Sequence, residues 1–313
     1  MRGLGDELAG EAGLGPRLLF RSADGLVTTF VEGDTLSEVD MHAIASETPQ
    51  LIAPRLAALH ALPPPAAQAG GPPVLWRFIE SMLEHTDSKA LPPSVSFDRL
   101  CAEVARMRER CDVLQLPVVH GHGDLKPSNI MRRPPEATAH LLMHEALLTA
   151  GRKAVDQICF IDFELSGLHY RGYDLYKLFR TTRGFSNANF RAFLRSYLAA
   201  LPPLPAAGAV EAVGGTGTAG TASQPESAAA LAELEAEAYA AEPLTWLEAA
   251  VFFFLALSVY PEKADVWRPL AMQRWESYLA SASIIDAEGE AARALLAARE
   301  RRAGAGEGGT CNS

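Results

Sequence analysis

The residues with the clearest chemical potential lie in segment 120–130, His-Gly-His-Gly-Asp-Leu-Lys-Pro-Ser-Asn-Ile, which follows a short apolar run. This segment places a carboxylate, Asp124, five residues before an amide, Asn129, in a turn rich in Gly, Pro and Ser. Phosphoryl transfer uses such a pair, because a carboxylate orients the attacking hydroxyl and a neutral oxygen binds Mg²⁺. Magnesium takes much of its shell from water and substrate phosphates, so few protein ligands suffice. The segment therefore predicts a phosphoryl-transfer loop.

A second carboxylate, Asp162, follows the apolar segment 157–161, and Glu164 lies two residues beyond it. Asp162 would supply the anionic metal ligand that Asn129 cannot. Each residue alone has an ordinary structural explanation, since Asp and Asn are common turn and cap residues. The two segments lie about thirty residues apart, and together they are more specific than either one. The combination favours a functional interpretation of Asp124, Asn129 and Asp162.

Two histidines in the same loop, His120 and His122, raise the alternative of a zinc site. No cysteine or third histidine has the spacing of a zinc ligand set. We therefore expect both histidines to pack within the loop.

The pattern around these loops predicts a helix-dominated α+β domain. Segments 17–20 and 26–31 flank an Asp-Gly turn signal at Asp24 and form a predicted hairpin. A helix is expected over residues 51–62, and Ser96 is expected to cap another helix whose apolar residues recur every three or four positions. The remaining predictions are short strands at 116–119 and 157–161 and helices at 246–259 and 267–279.

Composition narrows the function classes. The 313 residues carry a net charge of −10, which argues against nucleic-acid or anionic-membrane partners. Four cysteines without a framework pattern and the lack of a secretory signal favour a cytoplasmic protein. The apolar run 249–259 is too short for a membrane span and predicts a buried core helix. Residues 62–73, the low-complexity stretch 203–243 and the tail are expected to be loops or disordered, with a loose helix at 228–241.

The strings HGHGDLKPSNIM and ICFIDFELSGLHYRGYDLYKLF resemble the choline/ethanolamine kinase family, within the superfamily of protein-kinase-like and aminoglycoside-phosphotransferase-like folds. Weaker similarity covers GLGPRLL, FVEGDTL, LAALHAL and QRWESYL. The resemblance implies ATP and Mg²⁺, with Asp124 as the catalytic base and Asn129 and Asp162 as metal ligands. It places Glu164 near the metal or substrate, and it implies that His122 and Asp174 support the catalytic loop.

The sequence departs from this family in three ways. No Gly-rich loop precedes a strand with a phosphate-binding Lys, so we expect residues 1–40 to be the last strands and hinge of a truncated N-lobe sheet. Leu165 and Thr181 stand where the family has an aromatic residue and an acid, and Phe254 and Leu257 stand in place of a tryptophan pair. Trp267 and Tyr260 could restore part of an aromatic wall, and the alternative places both in the helical core.

The fold expected from the resemblance is protein-kinase-like, with a mostly helical C-lobe over residues 41–285 and a helical, then disordered, end over 286–313. Insertions at 132–157 and 203–243 would interrupt the C-lobe, and the first would contain a helix over residues 136–149.

The expected activity is ATP-dependent phosphorylation of a small amino alcohol. Ethanolamine is favoured over choline because the cage aromatics are missing and FVEGDTL resembles the ethanolamine branch. The alternatives are a choline kinase, a kinase of another small-molecule hydroxyl, and a catalytically impaired fragment that acts as a binding module. The expected partners are ATP and the alcohol, with no nucleic acid, no membrane insertion and a possible homodimer.

Overall fold

The computed structural model describes residues 3–42, 48–65, 68–134, 157–181, 187–202 and 224–307. The strands are β1 (Leu18–Arg21), β2 (Leu26–Thr28), β3 (Asp34–Thr35), β4 (Val118–Gly121), β5 (Ile130–Arg132), β6 (Ile158–Phe160) and β7 (Gly167–Tyr170). The helices are α1 (Leu4–Glu11), α2 (Glu38–His42), α3 (Thr48–His60), α4 (Val74–Glu84), α5 (Phe97–Val113), α6 (Arg171–Lys177), α7 (Asn187–Ala200), α8 (Gln224–Ala240), α9 (Glu242–Val259), α10 (Ala264–Ser281) and α11 (Glu290–Glu307).

The described residues form three small antiparallel sheets. Strands β1 and β2 form the predicted hairpin. Strand β5 lies between β3 and β6, and β4 pairs with β7. The loop that contains Asp124 and Asn129 therefore leaves one sheet at β4 and enters another at β5, and Asp162 follows the neighbouring strand β6.

Several predicted elements are confirmed. The Oγ atom of Ser96 accepts a hydrogen bond from the N–H of Arg99 and caps α5, whose predicted apolar face is buried at Leu100, Val104 and Met107. The run 249–259 lies in α9, where most of its residues are buried. Helix α3 begins three residues before the predicted start and contains Pro54 in its interior.

The helix expected over residues 228–241 is present as α8, but it is packed in the core, so the expectation that this part of 203–243 is loose or disordered is wrong. Helix α8 is packed against α6, α7 and α11. Leu231, Leu234 and Ala238 are buried in the core. The small side chains that suggested disorder instead allow helices to approach closely. Residues 203–223, the expected helix over 136–149 and the last six residues lie outside the described residues.

Within the described residues, one stretch, Ala228–Val259, has the length and composition of a membrane span; it comprises most of α8 and all of α9. However, 72% of its most apolar window is buried inside the fold. Its burial is that of a core element.

Two hydrophobic clusters form the interior. One joins α4, α5, α9, α10 and α11, and the other joins α3, α7, β6 and part of α8. Helix α6 contributes to both, since Tyr173 belongs to the first cluster, and Leu175 and Leu178 belong to the second. The loops described below rest on this helix.

Candidate functional site

The candidate catalytic loop turns sharply after β4, and the turn requires glycine. Gly123 has φ 81°, in the left-handed region. A Cβ atom there would lie 2.4 Å from the carbonyl oxygen of Leu165 and 2.5 Å from the ring of His169. The loop is therefore pressed onto the β7 segment, and only glycine fits both the backbone angle and the space.

Asp174, at the start of α6, lies beneath this loop. Its Oδ2 atom accepts a hydrogen bond from the N–H of His122 (2.6 Å), and its Oδ1 atom accepts one from the N–H of Gly123 (3.0 Å). Nε2 of His60 lies 3.2 Å from Oδ2. The carboxyl is fully buried; burial opposes ionisation, but His60 and the neighbouring histidines outweigh it and hold the pKa of Asp174 well below its usual range. Asp174 thus fixes two consecutive amides of the loop.

Asp124 belongs to this loop, and its side chain is 20% exposed. Its Oδ1 atom is 3.0 Å from Nζ of Lys177, and its Oδ2 atom is 2.7 Å from Nζ of Lys126. Burial raises the pKa of this carboxyl, but Lys177 and Lys126 outweigh burial and lower the pKa. Asp124 is therefore a carboxylate at neutral pH, with one face toward solvent.

Asn129 is oriented by Asp124. Its Nδ2 group donates to the backbone oxygen of Asp124 (2.9 Å) and to Oδ2 (3.1 Å), so the amide oxygen Oδ1 is the atom left for a ligand. The N–H of Ile161 donates to the carbonyl oxygen of Asn129 (3.0 Å), which brings the next residue, Asp162, beside it. Asp162 has φ 69°, a left-handed conformation that Asp and Asn tolerate better than most residues.

His122 ties the two segments together. Its Nε2 atom lies 2.9 Å from the carbonyl oxygen of Ile161 and carries the proton, because a carbonyl can only accept. Its Nδ1 atom accepts from the N–H of Asp124 (3.3 Å). The ring packs against Phe160 and Phe163, and burial lowers its pKa, so His122 is neutral. Both ring nitrogens are used within the protein, which leaves neither for zinc.

The other predicted site residues have different surroundings. Glu164 is exposed in the 3₁₀ turn after Asp162. Trp267 packs on Phe253, with ring centroids 5.9 Å apart, and no hydrogen bond or ring contact among the described residues joins it to the catalytic loop. Phe254 and Leu257 are buried in the core of α9. These two positions therefore form helix packing, not a wall open to a ligand.

Several residues of the site are not predicted from the sequence, among them His60, described above. Lys177 and Glu248 form a buried ion pair of 3.2 Å next to Asp124. Asp6 on α1 faces Asp162: burial and, to a smaller extent, the charge of Asp162 raise the pKa of Asp6. The one available signal is Lys177, which lies three positions after Asp174 and therefore on the same face of a short helix.

The chain has the protein-kinase-like fold. The profile of the family described as choline/ethanolamine kinase matches residues 7–197. This range contains both motif segments, Asp174 and Lys177. Asp6 lies just before it, and Glu248 and Trp267 lie after it. The chain belongs to the choline/ethanolamine kinase family.

The chain is also similar to individual proteins described as members of that family. "Probable ethanolamine kinase" of Arabidopsis thaliana is 29% identical over 184 residues, which are 56% of this chain and 42% of that protein. The chain thus matches less than half the length of this curated relative. An ethanolamine kinase of Plasmodium vivax superposes with TM-score 0.62 at 18% identity, covering 87% of this chain and 70% of the other. A choline/ethanolamine kinase family protein of Mesorhizobium loti gives TM-score 0.56 at 16% identity, covering 96% and 83%.

Proposed function

We propose that this protein transfers the γ-phosphoryl group of ATP to the hydroxyl of a small amino alcohol, and that ethanolamine is preferred to choline. The observation that carries the proposal is the convergence of Asp124, Asn129 and Asp162 through the Asn129–Asp124 and Ile161–Asn129 hydrogen bonds. Membership of the choline/ethanolamine kinase family supports a phosphotransferase.

In this mechanism Asp124 accepts a hydrogen bond from the substrate hydroxyl and orients it toward the phosphorus atom. Because the pKa of Asp124 is lowered, the carboxylate is a weak base in the ground state. It takes the proton only as the new oxygen–phosphorus bond forms, when the hydroxyl becomes acidic. Asn129 and Lys177 hold the carboxylate in place during this step.

The donor set fits Mg²⁺, since the amide oxygen of Asn129 and the carboxylate of Asp162 are both hard oxygen ligands, and both ring nitrogens of the neighbouring His122 are already hydrogen-bonded within the protein. Asn129 and Asp162 would hold the ion. When bound, Mg²⁺ supplies charge neutralisation at the phosphate oxygens. Asp6 lies close enough to Asp162 for the two carboxyl groups to interact.

The preference for ethanolamine rests on the residues expected to form an aromatic cage, which do not form one in the described part of the chain. A trimethylammonium group is bound best by several aromatic faces. Phe254 and Leu257 are buried in the helical core, and the aromatic ring of Trp267 packs on Phe253. A primary ammonium needs hydrogen-bond acceptors instead, and the exposed acids around the loop supply them. A cytoplasmic location and a homodimer remain predictions.

A phosphotransfer assay with ethanolamine, choline and an aminoglycoside tests this proposal. We expect turnover with ethanolamine to exceed turnover with choline. Turnover of the aminoglycoside alone would contradict the amino-alcohol assignment. Mg²⁺-ATP binding without transfer to any of these alcohols would favour the alternative of a catalytically impaired binding module.

A further inference from the structure

A buried lysine contacts the candidate catalytic carboxylate from below. The side chain of Lys177, on α6, is 3% exposed. Its Nζ atom lies 3.0 Å from Oδ1 of Asp124 and 3.2 Å from Oε2 of Glu248 on α9. It also donates to the carbonyl oxygen of Gly123 (3.1 Å) and to the hydroxyl of Tyr173 (3.1 Å). One ammonium group therefore joins two helices to the catalytic loop.

The buried ammonium group of Lys177 has a desolvation cost that its contacts must offset. Removing an ammonium ion from water is costly unless it is paired and hydrogen-bonded. Glu248 alone could neutralise Lys177, and it also accepts a hydrogen bond from Tyr173 (3.1 Å). The additional contact holds Oδ1 of Asp124, whose other oxygen is bound by Asn129 and Lys126.

The two oxygens of Asp124 have unequal surroundings. Oδ1 faces Lys177, which cannot move because it is enclosed by Glu248, Tyr173 and the loop carbonyl. Oδ2 faces Asn129 and Lys126, and the side chain of Lys126 is 47% exposed. Lys126 can therefore swing away when a substrate enters, whereas Lys177 stays.

We propose that Lys177 is a positioning residue that holds Oδ1 of Asp124, so that Oδ2 is presented to the substrate hydroxyl, and that Glu248 holds Lys177 in turn. This inference rests on the proposed function. It adds a structural element, the α6–α9 ion pair, to the machinery of the reaction.

The first test separates positioning from simple core stability. Lys177→Met should lower kcat on the order of 100-fold, because a misplaced catalytic group loses about that factor, and should leave KM and Mg²⁺-ATP affinity nearly unchanged. It should also lower the melting temperature, since the buried Glu248 loses its closest charged partner and keeps only Arg180, 4.0 Å away, and the hydroxyl of Tyr173. The double variant Lys177→Met/Glu248→Gln should recover much of the melting temperature but not kcat. Lys89→Met, at an exposed lysine, is the matched control and should change neither.

Recovery of kcat together with melting temperature in the double variant would overturn the proposal, because Lys177 would then serve only the packing of α6 and α9. An unchanged kcat in Lys177→Met would overturn it as well.

A second measurement does not depend on activity. The ¹⁵N signal of the Lys177 ammonium, assigned by its loss in Lys177→Met, should shift in Asp124→Asn and not in the control Asp112→Asn. If the wild-type protein transfers no phosphate, the proposed function fails, while this shift still reports whether the contact exists. An unshifted Lys177 signal in Asp124→Asn would refute the positioning contact even in an active kinase.

Discussion

Asp174 and Asp124 differ in burial and in hydrogen-bond partners, and their roles therefore differ. Asp174 is fully buried and binds backbone amides, so it shapes the loop without reaching a ligand. Asp124 keeps one face toward solvent and is held by the enclosed ammonium of Lys177 and the more exposed ammonium of Lys126. The distinction lies in the partners, because both carboxyls have lowered pKa values.

Buried histidines around Asp174 make the stability of the protein depend on pH. Burial, followed by the charges of His169 and His60, lowers the pKa of His120 to about 4, and burial also lowers the pKa of His122 and of His169. An unfolded histidine has a pKa of about 6.5, so the unfolded state binds more protons between these values. Stability is full above about pH 6.5 and falls as the pH drops toward 4.

We expect the free energy of unfolding to be lower at about pH 5 than at about pH 7.5, with His120 alone contributing on the order of 2 kcal/mol. Denaturant titration at the two pH values measures this difference. His120→Gln should reduce it, whereas the exposed control His85→Gln should not. Equal stabilities at both pH values would contradict the neutral, buried state of these rings.

At the scale of elements, helix α8 is fastened to α6 by a buried ion pair. The guanidinium of Arg171 donates twice to the carboxylate of Glu237, at 2.8 Å each, and the Glu237 side chain is 1% exposed. A Cβ atom at Gly172 would lie 2.2 Å from the carbonyl oxygen of Glu237. The two backbones thus approach as closely as glycine allows, directly behind Asp174.

Arg171→Met should destabilise the protein by about 3 kcal/mol or more, because it leaves the Glu237 carboxylate buried without its partner. The control is Arg191→Met, which removes a more exposed pair between Arg191 and Glu235 (3.1 Å) and should cost less than about 1 kcal/mol. Denaturant unfolding measures both. Similar small losses in the two variants would show that the α6–α8 contact contributes little.

Elements with a strong local pattern could be predicted from the sequence, and elements defined by packing could not. The Asp-Gly turn and the Ser96 cap each mark a boundary through a local hydrogen-bonding preference. Strand β5 has three residues and no alternation, so nothing local indicates it. Helix α8 is predicted as a loose helix and not as a packed one, because alanine suits both a solvated coil and a close helix contact.

At the scale of the whole molecule, the site lies where the two hydrophobic clusters meet. Helix α6 presents Tyr173 to one cluster and Leu175 to the other, and it carries Lys177 between them. The two motif segments could be found in the sequence because each is local. Lys177, Glu248 and His60 come from three separate helices, and no local pattern pairs residues so far apart along the chain.

The central claim is that Asp124 acts on the substrate and Asp162 on the metal-bound nucleotide. Comparing Asp124→Asn with Asp162→Asn in Mg²⁺-ATP binding, phosphoryl transfer and melting temperature tests it most directly. Asparagine preserves the size of both side chains and tolerates the left-handed backbone at position 162. Asp124→Asn should keep Mg²⁺-ATP affinity and lose transfer by at least about 100-fold, whereas Asp162→Asn should weaken Mg²⁺-dependent ATP binding. Equal binding defects in both variants, in proportion to a fall in melting temperature, would contradict the account and make both carboxylates part of the loop scaffold.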